Sequence, residues 1–263
     1  KVGENTVVEA DVYVLGQPNW RESEYNVDVK SLYTSASDVE MLVKHVTGKN
    51  LNSKALEIVR NLRSVDLSGM FGGKLYSFRT KGRAKTPQGG LTADVAFSRT
   101  KNSRYEISGD VTTDNLHLGN ILDIDAIETL SSKIEAQGSV GQGGVIADID
   151  LNVGSVGISG RRLHNIAAQG NIDKGRYEAH VDSKDEKLSF DLTSVLDFDK
   201  PIPSYEVMLD LRHVDLHKLG VNKRDSISVA SLRMGLDIDG RTIDEMDGTI
   251  DIVNMCYLYP GGE

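Results

Sequence analysis

Closely spaced aspartate pairs are the side chains of this sequence whose type and spacing could support chemistry. Two carboxylates two residues apart on a strand point to the same face, where they could flank a glycosidic bond or hold calcium. Each pair brackets an apolar residue, however, as expected for the solvent-exposed face of an amphipathic strand. We therefore interpret the pairs as surface residues and rank a hydrolase last. The pairs are Asp123 and Asp125, Asp148 and Asp150, Asp197 and Asp199, and Asp237 and Asp239.

Two other motifs have a spacing that could form a binding site. His213 and His217 are four residues apart, which brings two metal ligands together on a helix, but the surrounding alternation predicts a strand, and the HExxH glutamate is absent. The glycine-rich stretch 138–144 lacks the lysine of a phosphate-binding loop, and a predicted strand follows it. The sequence therefore predicts no catalytic residue, no metal site and no cofactor. We expect a protein that is not an enzyme.

Composition excludes further classes of function. The net charge is −9 and the isoelectric point is about 5.2, whereas binding to a nucleic-acid backbone needs clustered lysine and arginine. The single cysteine, Cys256, excludes an internal disulfide. No apolar run is long enough to cross a bilayer as a helix. Both ends of the sequence look cut, so we expect a segment of a longer protein.

Two-residue alternation of apolar and polar side chains is the main structural signal. Leu91, Ala93, Val95 and Phe97 are typical, and several further stretches repeat the pattern. Glycine-containing turns separate these stretches, for example at residues 87–90. We predict a mostly β fold, with about a dozen mainly antiparallel strands, in which residues 1–263 form one continuous β-rich segment.

One region has helical periodicity instead. Ser37 and Glu40 form a predicted capping box, Gly48 can end a first helix, and Ser53 can open a second that runs to about Leu62. We therefore predict a helical hairpin over residues 37–62, inserted between strands. A shorter helical turn is expected after Gly119.

A short phrase recurs three times, at residues 64–69, 113–119 and 213–220, each time at the predicted end of a strand. The spacing indicates a repeating unit of about fifty residues with one degraded copy.

The apolar side chains of the predicted strands have two interpretations. Two sheets could close on each other about 10 Å apart as a sandwich, which composition alone favours. Alternatively, one sheet could curl into an open trough whose aliphatic lining binds acyl chains, because apolar burial is non-directional. The predicted lining residues are Val95, Phe97, Ile107, Ile149, Leu151, Leu188, Phe190, Leu192, Val207, Leu209, Leu211 and Leu236.

Four groups of sequence stretches also carry a family resemblance. They are residues 28–39; residues 65–73 with 82–94; residues 112–122 with 134–138; and residues 166–170 with 188–192, Pro203 and 214–219. These stretches resemble the TamB and AsmA-like family of bacterial envelope proteins, especially the TamB-like proteins of the Bacteroides group. The resemblance covers most of the chain from about residue 28 to residue 220 and consists of structural phrases, not of catalytic motifs.

The resemblance implies an elongated, curled antiparallel sheet, a half-pipe or β-taco, with an apolar groove. It implies a protein anchored in the inner membrane of a Gram-negative bacterium that crosses the periplasm and carries phospholipids to the outer membrane. Phospholipid acyl chains and an outer-membrane barrel assembly protein are the implied partners, as in a translocation and assembly module. The alternative is a β-sandwich module of the cell envelope for binding or adhesion, which would recognise its partner through loops 100–103 or 183–187.

Overall fold

A single antiparallel sheet of fourteen strands, following one another in sequence order, dominates the computed structural model. The sheet is not closed into a barrel, and a small helical insertion interrupts it. The structure describes residues 5–16, 19, 22–47, 50–100 and 102–261. The predicted mostly β, antiparallel fold with an inserted helical pair is confirmed. The described strands belong to one sheet, so the two stacked sheets of the sandwich alternative are not found among them.

The chain divides into two compact units, Lys1–Glu135 with Val156–Gly160, and Ala136–Ser155 with Arg161–Glu263. The strands of unit 1 are β1 (Val7–Leu15), β2 (Glu24–Ser35), β3 (Ser64–Lys74), β4 (Ser77–Thr86), β5 (Gly89–Arg99) and β6 (Tyr105–Leu116). The division cuts across β7 (Ile127–Gly141) and β8 (Gly144–Ile158). The strands of unit 2 are β9 (Arg161–Asp173), β10 (Arg176–Lys184), β11 (Leu188–Asp197), β12 (Ser204–Asp215), β13 (Val229–Asp239) and β14 (Asp247–Leu258).

The helices of unit 1 are α1 (Ala36–Thr47), α2 (Ser53–Leu62) and the short α3 (Leu118–Leu122). The first two helices connect β2 to β3, and the third follows β6. The amide of Ala36 at the start of α1 donates to the carbonyl of Arg63, the residue before β3, at 2.8 Å. The side chain of Asn61 in α2 donates to the carbonyl of Ile121 in α3 at 3.3 Å. A 3₁₀ turn, Ile243–Glu245, precedes β14 in unit 2.

The predicted helix caps are displaced towards the N-terminus. Ser35, not Ser37, accepts the hydrogen bond from the amide of Asp38, although its 3.4 Å length makes it weak. Asn52, not Ser53, caps α2 by accepting from the amide of Ala55 at 2.7 Å. The predicted helix end at Gly48 lies outside the described residues.

Glu40 also differs from the capping-box prediction, because its carboxylate binds Arg60 of α2 at 3.0 Å. Asp38 is buried and accepts hydrogen bonds from the amide of Asn5 at 2.8 Å and from the hydroxyl of Thr6 at 2.7 Å. The side chains at the start of α1 therefore connect it to α2 and to the residues before β1.

Strand pairing gives the sheet of unit 1 one apolar and one polar face. Phe97 of β5 lies opposite Phe78 of β4 and Ile107 of β6, and Val95 lies opposite Gly109. Since alternate residues point to opposite faces, these side chains share a face. The other face of β4 carries basic side chains, namely Arg79, Lys81, Arg83 and Lys85.

Unit 2 has the same division. Phe190 pairs with Leu211, Leu192 with Leu209, and Val207 with Leu236. The register shifts by a β-bulge in the pairings of β11 with β12, β12 with β13, and β13 with β14. Such bulges bend a sheet and increase its twist locally, so we expect β11 to β14 to be curved.

Few apolar side chains of the described residues are buried. They are Leu116, Ile121, Val153, Leu163 and Val214, and none of them is a predicted lining residue. A closed core in a chain of this length would bury many more. The apolar faces of the two units therefore remain partly exposed.

Candidate functional site

The apolar face of unit 1 contains a row of four aromatic rings from four successive strands. The ring centroids of Phe71 and Phe78 are 4.9 Å apart, those of Phe78 and Phe97 are 5.3 Å apart, and those of Phe97 and Tyr105 are 5.7 Å apart. Aromatic pairs at such separations attract each other beyond the area that they bury. This aromatic row (Phe71, Phe78, Phe97 and Tyr105) forms a continuous ring-lined strip across β3 to β6.

An arginine stands at the end of that strip. Arg99 pairs with Tyr105 and follows Phe97 by two residues, so it belongs to the apolar face. The central carbon of its guanidinium is 5.8 Å from the ring centroid of Tyr76 and 5.8 Å from that of Tyr105. A cation at this distance from two aromatic rings is held by their negative faces. The Arg99 cluster (Arg99, Tyr76 and Tyr105) thus places a positive charge beside an apolar surface.

The predicted lining residues of unit 1 all lie on this face. Val95 and Phe97 are half-buried, whereas Ile107 is 48% exposed. Gly69 lies opposite Gly82 in the same part of the face. A Cβ atom at Gly69 would lie only 2.4 Å from the carbonyl oxygen of Lys81, so β3 and β4 approach each other closely there. The face is therefore built from small, aliphatic and aromatic side chains that no described second layer covers.

The predicted lining residues of unit 2 lie mainly on β11 to β13. Leu188, Phe190, Leu192, Val207, Leu209, Leu211 and Leu236 are all half-buried and share the apolar face. Asp148 and Asp150 accept hydrogen bonds from Asn171 and Gln169 on the polar face. Their neighbours Ile149 and Leu151 therefore belong to the apolar face of β8.

The last strand, β14, is the most exposed strand of unit 2. Ile250 is 58% exposed and Ile252 is 54% exposed, although both pair with apolar residues of β13. β14 has a neighbouring strand on one side only among the described residues. Its other edge presents backbone donors and acceptors that no described strand uses.

Two of the aspartate pairs make hydrogen bonds to neighbouring groups in the described part of the chain. Asp148 and Asp150 lie beside a shallow depression of about 430 Å3, and side-chain amides donate to their oxygens. Asp197 is buried and accepts from the amide of Asp199 at 3.0 Å. Among the described residues, no group of three or more His, Cys, Asp or Glu side chains converges as a metal site would require.

The histidine pair is also divided between two kinds of structure. His213 belongs to β12, whereas His217 lies in the turn that follows it. Gly141 ends β7, and Gln142 and Gly143 form the turn before β8, which is the hairpin that the sequence favoured over a phosphate loop.

A cleft that sequence reasoning missed lies between α2, α3 and the start of β7 in unit 1. Its volume is about 720 Å3, and Arg60, Arg63, His117, Asp123 and Glu128 are among its lining residues. Because acidic, basic and amide side chains alternate around it, the cleft has no single charge preference. It is a polar cleft, unlike the apolar faces.

Four described carboxylates, those of Asp94, Asp182, Asp185 and Asp215, have a pKa below the ordinary value, and Asp94 and Asp215 owe it to different donors. The hydrogen bond from Arg79, at 2.7 Å, is the main cause that holds the pKa of Asp94 below its ordinary value. In unit 2, the backbone N–H of Lys218 lowers the pKa of Asp215 by donating to its carboxylate at 2.9 Å. Both shifts follow from a hydrogen-bond donor that stabilises the charged form of the carboxylate.

Comparison with known proteins leaves the apolar faces as the main guide to function. No protein-family model, curated protein or solved structure matches this chain. None of the helices within the described residues combines the length and the apolar character needed to cross a membrane. The resemblance to TamB and AsmA-like proteins therefore rests on the sequence stretches given above.

Proposed function

We propose that this chain is a non-enzymatic, lipid-binding segment of an envelope protein, in which the apolar faces bind phospholipid acyl chains. The supporting observation is that twelve aliphatic and aromatic residues share these faces and none of them is buried. Apolar area left in water is unfavourable by roughly 25 cal/mol per Å2. A ligand with a long hydrocarbon chain would remove that area from water without needing specific hydrogen bonds.

The polar face supports the same proposal. Carboxylates, amides and basic side chains cover it, and many of them pair with one another, as Arg79 does with Asp94 and Arg233 does with Asp210. Such a face remains stable in water while the opposite face contacts lipid. The sheet therefore separates an aqueous side from an apolar side over many strands.

We further propose a periplasmic location, within a protein anchored in the inner membrane of a Gram-negative bacterium. In this setting the segment passes phospholipid towards the outer membrane and acts with an outer-membrane barrel assembly protein. This part of the proposal is based on the family resemblance. Fractionation of cells that carry the full-length protein tests the location, and co-purification with a barrel protein tests the partner.

The lipid-binding proposal is tested by photocrosslinking from two neighbouring positions of β12. A photoreactive amino acid at Leu209, on the apolar face, is expected to label lipid acyl chains in cells. The same amino acid at Met208, which is 64% exposed on the polar face, is the matched control and is expected to label little lipid. Equal labelling at both positions, or purified protein without extractable lipid, would contradict the proposal.

A protein-binding or adhesion module is the second candidate, and the exposed strand β14 favours it. An extended segment of a partner could add to its unpaired edge through backbone hydrogen bonds. In that case a photoreactive group at Ile252 labels protein, and the group at Leu209 does not label lipid.

A further inference from the structure

The Arg99 cluster and the aromatic row together have the features of a binding site for a lipid with a charged head group. We propose that Arg99 binds the anionic head group of a phospholipid whose acyl chain lies along β5 on the apolar face of unit 1. This proposal rests on the proposed lipid binding and adds to it the position and charge of the head group. It also gives the bound lipid a direction, with its head at the Arg99 end of β5.

Charge is the first argument. The protein has a net charge of −9, and several of its basic side chains pair with carboxylates, among them Arg79, Arg176 and Arg212. Within the described residues, no carboxylate lies within 4 Å of the Arg99 guanidinium, whose neighbours are two tyrosine rings and the hydroxyl of Ser103 at 3.5 Å. Stacking on rings leaves the edge of a guanidinium available, and that edge fits phosphate through two parallel hydrogen bonds.

Position is the second argument. Arg99 ends β5, and Phe97, Val95, Ala93 and Leu91 follow on the same face away from it. At about 3.4 Å per residue, the stretch from Leu91 to Phe97 is roughly 20 Å long. The hydrocarbon core of a bilayer is about 30 Å thick, so a chain of one leaflet spans about 15 Å. One acyl chain therefore fits on β5 while its head group reaches Arg99.

The aromatic row is the third argument. Tyrosine side chains are common where an apolar region meets water, because one end of the ring is apolar and the other is polar. Tyr76 is 45% exposed and Tyr105 is 37% exposed, whereas the rings of Phe78 and Phe97 are half-buried. Along this face the side chains change from half-buried apolar rings to solvent-exposed tyrosines at the position of Arg99. A lipid shows the same change between its chain and its head group.

The experiment compares two soluble short-chain lipids with equal chains, dihexanoyl phosphatidylglycerol and dihexanoyl phosphatidylcholine. Binding to the purified chain is measured by calorimetry at about 150 mM salt, where long-range attraction is screened. We expect the anionic lipid to bind more tightly. Arg99→Gln should weaken its binding about tenfold, as expected for the loss of a hydrogen bond to a charged group. Binding of the zwitterionic lipid should weaken less, because that lipid has the same phosphate but also a choline cation that offsets its charge. Arg99→Lys, which keeps the charge but not the bidentate geometry, should give an intermediate result.

Arg83→Gln is the matched control, because it removes the same charge from the polar face of the neighbouring strand β4. An equal loss of affinity in Arg83→Gln would overturn the proposal in favour of general attraction. Unchanged binding in Arg99→Gln, with circular dichroism showing a folded protein, would also overturn it. If inorganic phosphate bound as tightly as the anionic lipid, Arg99 would be a simple anion site and the lipid assignment would be wrong. If neither lipid bound the wild-type chain, the proposed function itself would fail.

Discussion

The apolar faces of the two units reach the same partial exposure with different side chains. In unit 1, the rings of Phe71, Phe78, Phe97 and Tyr105 stack in a row that ends at Arg99. In unit 2, the paired residues of β11 to β13 are mainly leucine and valine. The rings of Tyr177, Phe198 and Tyr205 in unit 2 meet edge to face, and those of Tyr257 and Tyr259 stack as a separate pair, so no row of rings crosses four strands of unit 2 among the described residues.

The different side chains of the two faces illustrate two properties of an apolar surface, namely its attraction for hydrocarbon and its ability to orient a ligand. Aliphatic side chains attract any hydrocarbon and impose no direction, because dispersion and burial do not depend on orientation. Stacked rings next to a cation distinguish one end of a ligand from the other. Unit 2 is therefore suited to unspecific contact with chains, and unit 1 adds a feature that can orient a ligand.

The largest expected effect is a loss of stability when a glycine of unit 1 is replaced, compared with a glycine of unit 2 that has more room. Gly69→Ala in β3 places a Cβ atom 2.4 Å from the carbonyl oxygen of Lys81, so β3 and β4 must move apart. We expect a loss of about 2–4 kcal/mol in the free energy of unfolding, in the range of substitutions that overlap the backbone. Gly170→Ala in β9 is the matched control, because its nearest neighbour would be the carbonyl oxygen of Glu178 at 3.8 Å. Urea unfolding of both variants measures the difference, and equal losses would refute the close approach in unit 1.

The next largest effect is expected from carboxylates introduced on the apolar faces, which are partly exposed in both units. Val95→Glu in unit 1 and Leu209→Glu in unit 2 should each cost only about 1–2 kcal/mol, because water reaches both positions. In a closed core, an unpaired carboxylate would cost considerably more. Co-purified lipid, measured by mass spectrometry, should fall several-fold in both variants.

Met208→Glu, on the polar face of β12, is the control for lipid content and should not change it. Loss of folding in Val95→Glu or Leu209→Glu would mean that the face in question is covered. A loss of lipid in only one of the two variants would show which unit holds it.

The smallest effect concerns the shifted carboxylates. The pKa values of Asp94 and Asp215 are lowered in the folded protein, so their charged forms stabilise it at neutral pH. The stability difference between wild type and an Asn variant should therefore be complete above about pH 3.9, the ordinary value for aspartate. It should decrease as the pH falls through the lower pKa of the folded state.

The stability effects of the two Asn variants should depend differently on salt concentration. The side chain of Asp94 is only 13% exposed, but it is held mainly by the guanidinium of Arg79, which is 71% exposed, so the effect of Asp94→Asn should shrink in concentrated salt. Asp215 is buried and is held mainly by a backbone amide, so the effect of Asp215→Asn should depend less on salt. Thermal unfolding across pH and salt measures both, and an identical salt dependence would contradict this assignment.

Alternation along the sequence was sufficient to predict the fold class and the apolar faces. A strand orients successive side chains to opposite faces, so residues such as Val95 and Phe97 must share a face once the strand exists. The glycine-containing turns then lead to antiparallel neighbours, as the pairing of β4 with β5 shows. Whether the twelve predicted residues bind lipid remains a prediction.

Local motifs were less reliable than periodicity. The recurring phrase ends β6 and β12, as predicted, but its first copy starts β3, because the helical pair precedes that strand. The aspartates of the copies also differ, since Asp215 is buried and accepts from Lys218 whereas Asp114 is exposed. Similar residues thus have different surroundings in the three copies, so the recurring motif is a weak sign of a repeating unit.

The aromatic row could not be found from the sequence. Its four rings are separated by 7, 19 and 8 residues and meet only when the register of three strand pairs is fixed. Hydrogen bonding and packing of the whole sheet determine that register. The contact of Arg99 with Tyr76 and Tyr105 depends on the same register and on two turns.

The exposed edge of β14 has a practical consequence. No described strand pairs with this edge, and Ile250 and Ile252 beside it are more than half exposed, so an extended peptide could add to it through backbone hydrogen bonds. Concentrated preparations of the isolated chain should therefore form fibrous aggregates at this strand. Replacing Ile252 with lysine, or placing a proline in β14, should keep the protein dispersed.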